Sequence, residues 1–189
     1  MKKTKQLLAI ALMCFIIAPV LNSCKKGDED PFLSLKSRKG RLAGEWTLDS
    51  GTLTYTWGTT AYTATFTSSM VTASYAGESY NWMYTERIEF KKDNTFKITV
   101  MDDGDLETSE GFWTFMEGYD DVAKRECVVV RITQRQSGGS VVTYSGESMP
   151  TDIYRLIRLS NDDMIVDFEG QRMGSEVEMT TGNLTYAKK

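Results

Sequence analysis

The side chains that most often carry enzyme chemistry are unevenly represented in this chain. Its 189 residues include 26 Asp and Glu and three Cys, but no His. Without histidine, neither a Ser-His-Asp or Cys-His arrangement nor a zinc site with His ligands can form. Cys127 begins the apolar run 127–130, where a free cysteine behaves as a small core hydrophobe. We therefore expect Cys127 to be structural rather than nucleophilic.

Paired carboxylates are the remaining route to hydrolysis, because two Asp or Glu groups suffice for glycoside chemistry. The acidic pairs lie in turn-like segments, at 102–105, 120–121 and 162–163. The first lacks the ligand spacing of an EF-hand calcium loop. The Ser-Gly-Gly-Ser segment 137–140 lacks the helix and the lysine of a phosphate-binding loop. The sequence therefore predicts no enzyme activity, no metal site and no cofactor.

Aromatic side chains are concentrated in residues 52–85, where Glu78 is the only charged residue. Aromatic faces flanked by Thr and Ser hydroxyls suit a lipid, a sterol-like or aromatic molecule, or a sugar. The same rings could instead fill the core, with the threonines facing solvent. Eight rings are candidates to line a cavity or its mouth: Tyr55, Trp57, Tyr62, Phe66, Tyr75, Tyr80, Trp82 and Tyr84. Five of them form our predicted ligand-binding set: Trp57, Tyr62, Phe66, Tyr80 and Trp82.

The elements that must position these rings are β-strands. Residues 52–57 and 62–67 alternate with period two in β-branched and aromatic residues, which is the pattern of a half-buried strand. Turn residues such as Asp93-Asn94 and Gly182-Asn183 separate further strands, predicted at 88–90, 96–100, 111–116, 127–134, 141–144, 153–159, 164–169, 176–181 and 184–187. Short, regularly spaced strands without a second long helix predict an all-β antiparallel sandwich or barrel.

The N-terminal segment differs in composition from the rest of the chain. Three lysines in the first five residues precede the apolar run 7–21, which is shorter than the roughly 20 residues of a bilayer-spanning helix. This pattern predicts a secretory signal over residues 1–23. Its removal leaves 19 Lys and Arg against 26 Asp and Glu, a net charge of −7. Such an acidic domain is a poor candidate for binding nucleic acid.

The apolar run ends in Leu-Asn-Ser followed by Cys24, which resembles the lipobox of bacterial lipoproteins. The resemblance implies a lipid on Cys24 and anchoring at the outer membrane; an ordinary cleaved signal is the alternative. Residues 24–31 form a charged tether that is similar to a surface-export signal of Bacteroidetes-type lipoproteins, or is a plain spacer. Both the periplasmic and the cell-surface face stay open. Asp30 and Pro31 then suit the start of a short helix.

Several short motifs, in this order, resemble those of bacterial lipocalin-like domains. Residues 44–46 read Gly-Glu-Trp, like the lipocalin Gly-x-Trp signature, and residues 111–113 read Gly-Phe-Trp. Residues 88–96 are similar to a hairpin that usually reads Phe-x-x-Asp-Gly-Thr-Phe, with an asparagine here in place of the glycine. Residues 153–159 and 164–168 resemble the late hairpin of these domains.

The resemblance implies a single domain over 32–189, an antiparallel lipocalin-like β-barrel of about 8–10 strands with a short N-terminal helix. Gly44 would lead into the first strand and Trp46 would close the barrel floor. A late Arg or Lys would pack on that ring, with Arg158 and Arg172 as candidates. Whether the Thr-rich strands at 52–75 complete the barrel or project as a flap is open.

The function that this resemblance implies is non-covalent capture of a small apolar or amphipathic ligand, since a barrel of about eight strands can hold one small molecule. The alternative is a barrel filled by its own side chains. It would then serve as a structural or interaction module, an accessory subunit of an outer-membrane complex.

Overall fold

The computed structural model describes residues 36–117, 126–168 and 179–189. The predicted signal over 1–23, the lipidation site Cys24, the tether 24–31 and the candidate Arg172 lie outside these residues. The predicted helix start at Asp30 and Pro31 also lies outside them.

Within the described residues, eleven strands follow one short helix, α1 (Arg38–Leu42), and a 3₁₀ turn (Gly146–Ser148) precedes the ninth strand. The strands are β1 (Gly44–Trp57), β2 (Thr60–Thr67), β3 (Met70–Tyr75), β4 (Glu78–Phe90), β5 (Thr95–Asp102), β6 (Asp105–Glu117), β7 (Glu126–Ser137), β8 (Ser140–Thr143), β9 (Thr151–Leu159), β10 (Asp163–Asp167) and β11 (Met179–Lys188).

Ten of these strands close into an antiparallel barrel, which confirms the predicted fold class. Their order is β6-β5-β4-β3-β2-β1-β11-β10-β9-β7, and β7 pairs back onto β6. β8 extends the sheet from the far end of β7. Helix α1 precedes β1, and the Ser37 side chain caps it by accepting a hydrogen bond from the Gly40 backbone N–H at 3.1 Å.

The β2–β3 hairpin makes one end of the barrel wider than the other. At the start of β1, residues 44–47 pair directly with β4. Farther along, β1 pairs with β2, β2 with β3, and β3 with the first half of β4. The strands at 52–75 therefore complete the wall at that end. We call it the open end, and the end with α1 and the β4–β5 turn the closed end.

The closed end is filled with apolar side chains. Trp113 meets Phe90 edge to face with ring centroids 5.7 Å apart, and meets Phe115 in the same way at 5.4 Å. Cys127 is also buried, and burial raises the pKa of its thiol. The core cluster further includes Leu42, Leu48, Ile88, Phe96, Val128, Leu156, Met164 and Tyr186. The narrower end is thus a packed core.

The cation that lies on the Trp46 ring is a lysine and not Arg158, one of the two arginine candidates from the sequence. Lys188 Nζ lies 4.7 Å from the ring centroid. Lys188 is the register partner of Trp46 across β1 and β11. Arg158 instead lies 3.1 Å from Asp163 at the β9–β10 turn, and Arg172 lies outside the described residues. Strand register, which local sequence does not reveal, selects the lysine.

Trp46 itself is fully buried at the closed end. Its indole N–H donates to the Leu42 carbonyl at 2.7 Å, and Lys188 donates to the Arg41 carbonyl. Gly44 has φ +138°, and a Cβ atom there would lie 2.5 Å from Lys188 Cε. The glycine therefore allows the chain to turn into β1 and leaves room for the lysine stem.

The two last predicted strands are in fact one strand, β11, which continues through the predicted turn at Gly182-Asn183. Gly182 has φ +126°, and a Cβ atom there would lie 2.1 Å from the Thr52 carbonyl oxygen. This glycine permits the close approach of β1 and β11 and does not reverse the chain.

Candidate functional site

The inner face at the open end is built from alternate residues of the first four strands. Tyr55 of β1 lies opposite Tyr62 of β2, and the two rings stack with centroids 4.8 Å apart and planes 17° apart. A bulge between Leu48 and Ser50 changes the inward positions of β1 from even to odd numbers, so Tyr55 and Trp57 lie on the same face as Leu48. Period-two alternation in the Thr-rich strands thus directs their aromatic rings inward.

A pocket with a volume of about 750 Å³ lies at this end. Three of the five predicted ligand-binding residues, Trp57, Tyr62 and Tyr80, line it together. Tyr75, which the predicted set omitted, is the fourth aromatic lining residue. The remaining lining residues are small: Gly58, Thr59, Thr60 and Ala73.

The other two predicted ligand-binding residues lie away from this pocket. Phe66 is buried in the core and meets Tyr84 edge to face at 5.5 Å. Trp82 packs against the core, and its indole N–H donates to Asp102 Oδ1 at 2.6 Å. Both side chains support the wall beneath the pocket.

The pocket rim offers aromatic surface and phenol hydroxyls. The residues Trp57, Tyr75 and Tyr80 are 58%, 52% and 59% exposed. The Tyr80 hydroxyl donates to Glu78 Oε2 at 2.5 Å, and this hydrogen bond raises the pKa of Tyr80. The rim can therefore contact an apolar group and form hydrogen bonds at its edge.

A carboxylate lies deeper in the barrel, between the pocket and the closed end. Glu86 accepts hydrogen bonds from the hydroxyl groups of Tyr84 at 3.0 Å and Tyr186 at 2.9 Å. Burial raises its pKa, and the two hydrogen bonds oppose that shift. Glu86 is not among the binding residues that the sequence predicts. A signal was present, because Glu86 shares the inward alternation of Ile88 and Phe90.

The Glu86 charge also acts on two further tyrosines. Burial raises the pKa of Tyr55 to about 12, with smaller contributions from Tyr62 and from the Glu86 charge. Burial and then the Glu86 charge also raise the pKa of Tyr154. Tyr55 stacks on Tyr62, a pocket residue, so the Glu86 charge acts on a ring that adjoins the pocket.

The charged groups around Glu86 are mostly acidic. Asp152 of β9 lies opposite the buried Val130; burial raises its pKa, and Arg135 lowers it. Arg135 Nε lies 3.1 Å from Glu107 Oε1. Within residues 36–117, 126–168 and 179–189, no Lys or Arg forms an ion pair with Glu86.

In the same described segments, no three Cys, Asp or Glu side chains are grouped to hold a metal ion. No helix in the described part of the chain has the length and apolarity needed to cross a bilayer. Comparisons of the chain with protein-family models, with curated protein sequences and with solved structures gave no match. Functional inference therefore depends on the chain's own residues.

Proposed function

We propose that the protein is a non-enzymatic lipoprotein of the cell envelope that binds a small apolar or amphipathic molecule at the open end of its barrel. The observation that carries this proposal is the pocket of about 750 Å³ with four aromatic lining residues. Its size falls within the range of about 300–1,000 Å³ that small-molecule sites occupy.

Uncovered aromatic surface supplies the driving force. Three of the four rings in the pocket are more than half exposed, and clustered apolar exposure of this kind marks binding sites. Covering it with an apolar ligand contributes about 25 cal/mol per Å² before the costs of ordering the ligand. Affinity would therefore depend mainly on how much ring surface the ligand covers.

Anchoring is the part of the proposal that the sequence alone supports. The basic, apolar segment 1–23 and the lipobox-like residues before Cys24 are typical of a lipidated outer-membrane protein. The lipocalin-like motifs agree with a barrel that carries a ligand. On this view the domain 32–189 stands on either the periplasmic or the cell-surface face.

Native mass spectrometry of the full chain purified from cell envelopes tests this function. We expect one apolar compound to be retained per chain. The Trp57→Ala/Tyr62→Ala variant should lose it, since both rings line the pocket. Phe112→Ala is the matched control, because Phe112 is 57% exposed and lies outside the pocket. Retention that is equal in all three proteins, or an empty wild-type chain, would contradict the proposal.

One observation favours the second candidate function, the interaction module. Met70 lies opposite Met83, and Met101 lies opposite Leu106, on strands β3 to β6. Of these four residues, Met70, Met83 and Leu106 are exposed, and flexible apolar side chains suit a protein contact. If this function is correct, a photo-crosslinking residue at position 83 should yield one discrete adduct in cells. Position 147, on the 3₁₀ turn, should not, and similar adducts from both would argue against it.

A further inference from the structure

Within the described residues, the hydrogen-bond donors to the Glu86 carboxylate are neutral. A carboxylate offers about four acceptor positions, and Glu86 uses two of them for neutral phenol donors. Burying such a group without a cation costs several kcal/mol. The described segments supply no ion pair to it. A positively charged partner from outside the chain would offset this cost.

Glu86 also remains within reach of a ligand. The residue keeps an intermediate exposed surface, although burial dominates the pKa of its carboxyl group. Part of the Glu86 side chain is therefore open to a ligand that enters the barrel. Tyr55, on which the Glu86 charge acts, stacks on Tyr62, a residue of the pocket.

The charges on the inner face favour a cation over an anion. Asp102 lies opposite Tyr84, and Glu107 lies opposite Val100, so both carboxylates share the face of Glu86, as does Asp152. Arg135 is already engaged with Glu107 at 3.1 Å. A cleft lined by carboxylates concentrates cations and repels anions.

We propose that this barrel selects an amine: the ammonium group pairs with Glu86 between the hydroxyl groups of Tyr84 and Tyr186, while the apolar body lies against Tyr55 and the pocket rings. Tyrosine faces add a cation–π attraction for the same group. The inference depends on the proposed ligand-binding function and specifies the ligand class. A fatty acid, whose carboxylate would face Glu86, is excluded by like-charge repulsion.

Three probes that differ in one group test this site: 4-phenylbutylamine, 4-phenyl-1-butanol and 4-phenylbutanoate. Isothermal titration calorimetry of the full chain should give at least tenfold tighter binding for the amine than for the alcohol. The carboxylate should bind more weakly than the alcohol. Equal affinity for amine and alcohol, or preference for the carboxylate, would overturn the amine site. The pocket would still bind, so the proposed function would stand.

The Glu86→Gln variant tests whether the preference for the amine over the alcohol depends on the Glu86 carboxylate. In this variant, the affinity for the amine should be within threefold of the affinity for the alcohol. The affinity for the alcohol itself should differ from the wild-type value by less than twofold. Glu147→Gln removes an equal charge from an exposed position and should keep the full preference. An amine preference that persists in Glu86→Gln would refute the assignment. If that variant does not fold, the ranking of the three probes on the wild-type chain decides.

A fourth probe in the same experiment tests whether the amine belongs to a small molecule or to a lipid headgroup. Dihexanoyl phosphatidylethanolamine presents an ammonium group next to a phosphate, whereas the phenylbutyl probe has no anion. Tighter binding of the free amine would identify a small-molecule amine, and tighter binding of the phospholipid would identify a lipid headgroup. Binding of none of the probes refutes the amine site. The proposed function is then tested independently by native mass spectrometry, which detects any compound retained by the chain from cell envelopes.

Discussion

Two tryptophans in one strand show how differently the ends of the barrel are used. Trp46 and Trp57 both belong to β1; Trp46 is fully buried and Trp57 is 58% exposed. At the closed end β1 pairs directly with β4, whereas at the open end the β2–β3 hairpin separates them. More strands widen a barrel; Phe66 and Val71 of the hairpin still join the core, and the pocket lies beyond them, at Tyr62 and Trp57. The inner face of β1 therefore passes from a packed core at Trp46 to an open pocket at Trp57.

The largest effect that tests this contrast is expected from the two tryptophans themselves. Trp46→Ala should lower the free energy of unfolding by about 3–5 kcal/mol, because it removes a fully buried ring. Trp57→Ala should change it by less than about 0.5 kcal/mol, as expected for an exposed position. Urea unfolding followed by circular dichroism measures both. Similar losses in the two variants would mean that the open end is also a packed core.

Much of this architecture was predictable from local patterns. The strands at 52–57 and 62–67, and the hairpin at Asp93-Asn94, carry alternation and turn chemistry that act over a few residues. Asn94 has φ +71°, and Thr95 N–H donates to Asp93 Oδ1 at 3.0 Å. Such local interactions can be inferred without knowing the partner strand.

Other features depend on contacts between distant segments. β4 starts at Glu78, ten residues before its predicted beginning, because its first half is largely exposed on both faces. Pairing with β3, rather than its own burial pattern, specifies this half. The local sequence at Gly182 predicts a turn. The glycine is required instead by the close approach of β1, which the local sequence does not reveal. Alternation with Ile88 predicts that Glu86 points inward, but its hydrogen bond from Tyr186, a hundred residues away, is not visible in the local sequence.

Replacing Lys188 tests whether the stability of the closed end depends on this cation as well as on apolar packing. Lys188→Met keeps most of the stem but loses the contact with the Trp46 ring and the hydrogen bond to the Arg41 carbonyl. We expect a loss of about 1–2 kcal/mol in the free energy of unfolding. Lys189→Met is the control, because Lys189 is exposed and pairs only at the surface with Glu45 at 3.1 Å. It should cost about 0–0.5 kcal/mol, and an equal loss would argue against a special role for Lys188.

Glu86 should make the open end sensitive to pH in a way that the closed end is not. Burial raises its pKa above the usual value of 4.5, so the folded chain binds more protons between the two pKa values. The Glu86 contribution to the free energy of unfolding therefore falls as pH rises from about 4.5, and levels off above the folded-state pKa.

Glu86→Gln cannot ionise, so its stability relative to wild type should increase across the same pH window. Urea unfolding of the ligand-free proteins at several pH values measures the difference, with Glu147→Gln as the control for lost charge. A difference that stays constant with pH would show that Glu86 is not buried as a carboxylate.

The smallest effect is expected on the outer wall, which the two ends share. Lys97 of β5 and Glu110 of β6 form an ion pair at 2.8 Å, with 42% and 48% of their side chains exposed. Water and salt screen such a pair, so Lys97→Met should cost about 0–1 kcal/mol, and less at high salt. Urea unfolding at low and at 1 M NaCl measures it. A loss above about 2 kcal/mol would mean that cross-strand charges hold the barrel closed. The difference between the two ends would then depend on the outer wall of the barrel as well as on its inner face.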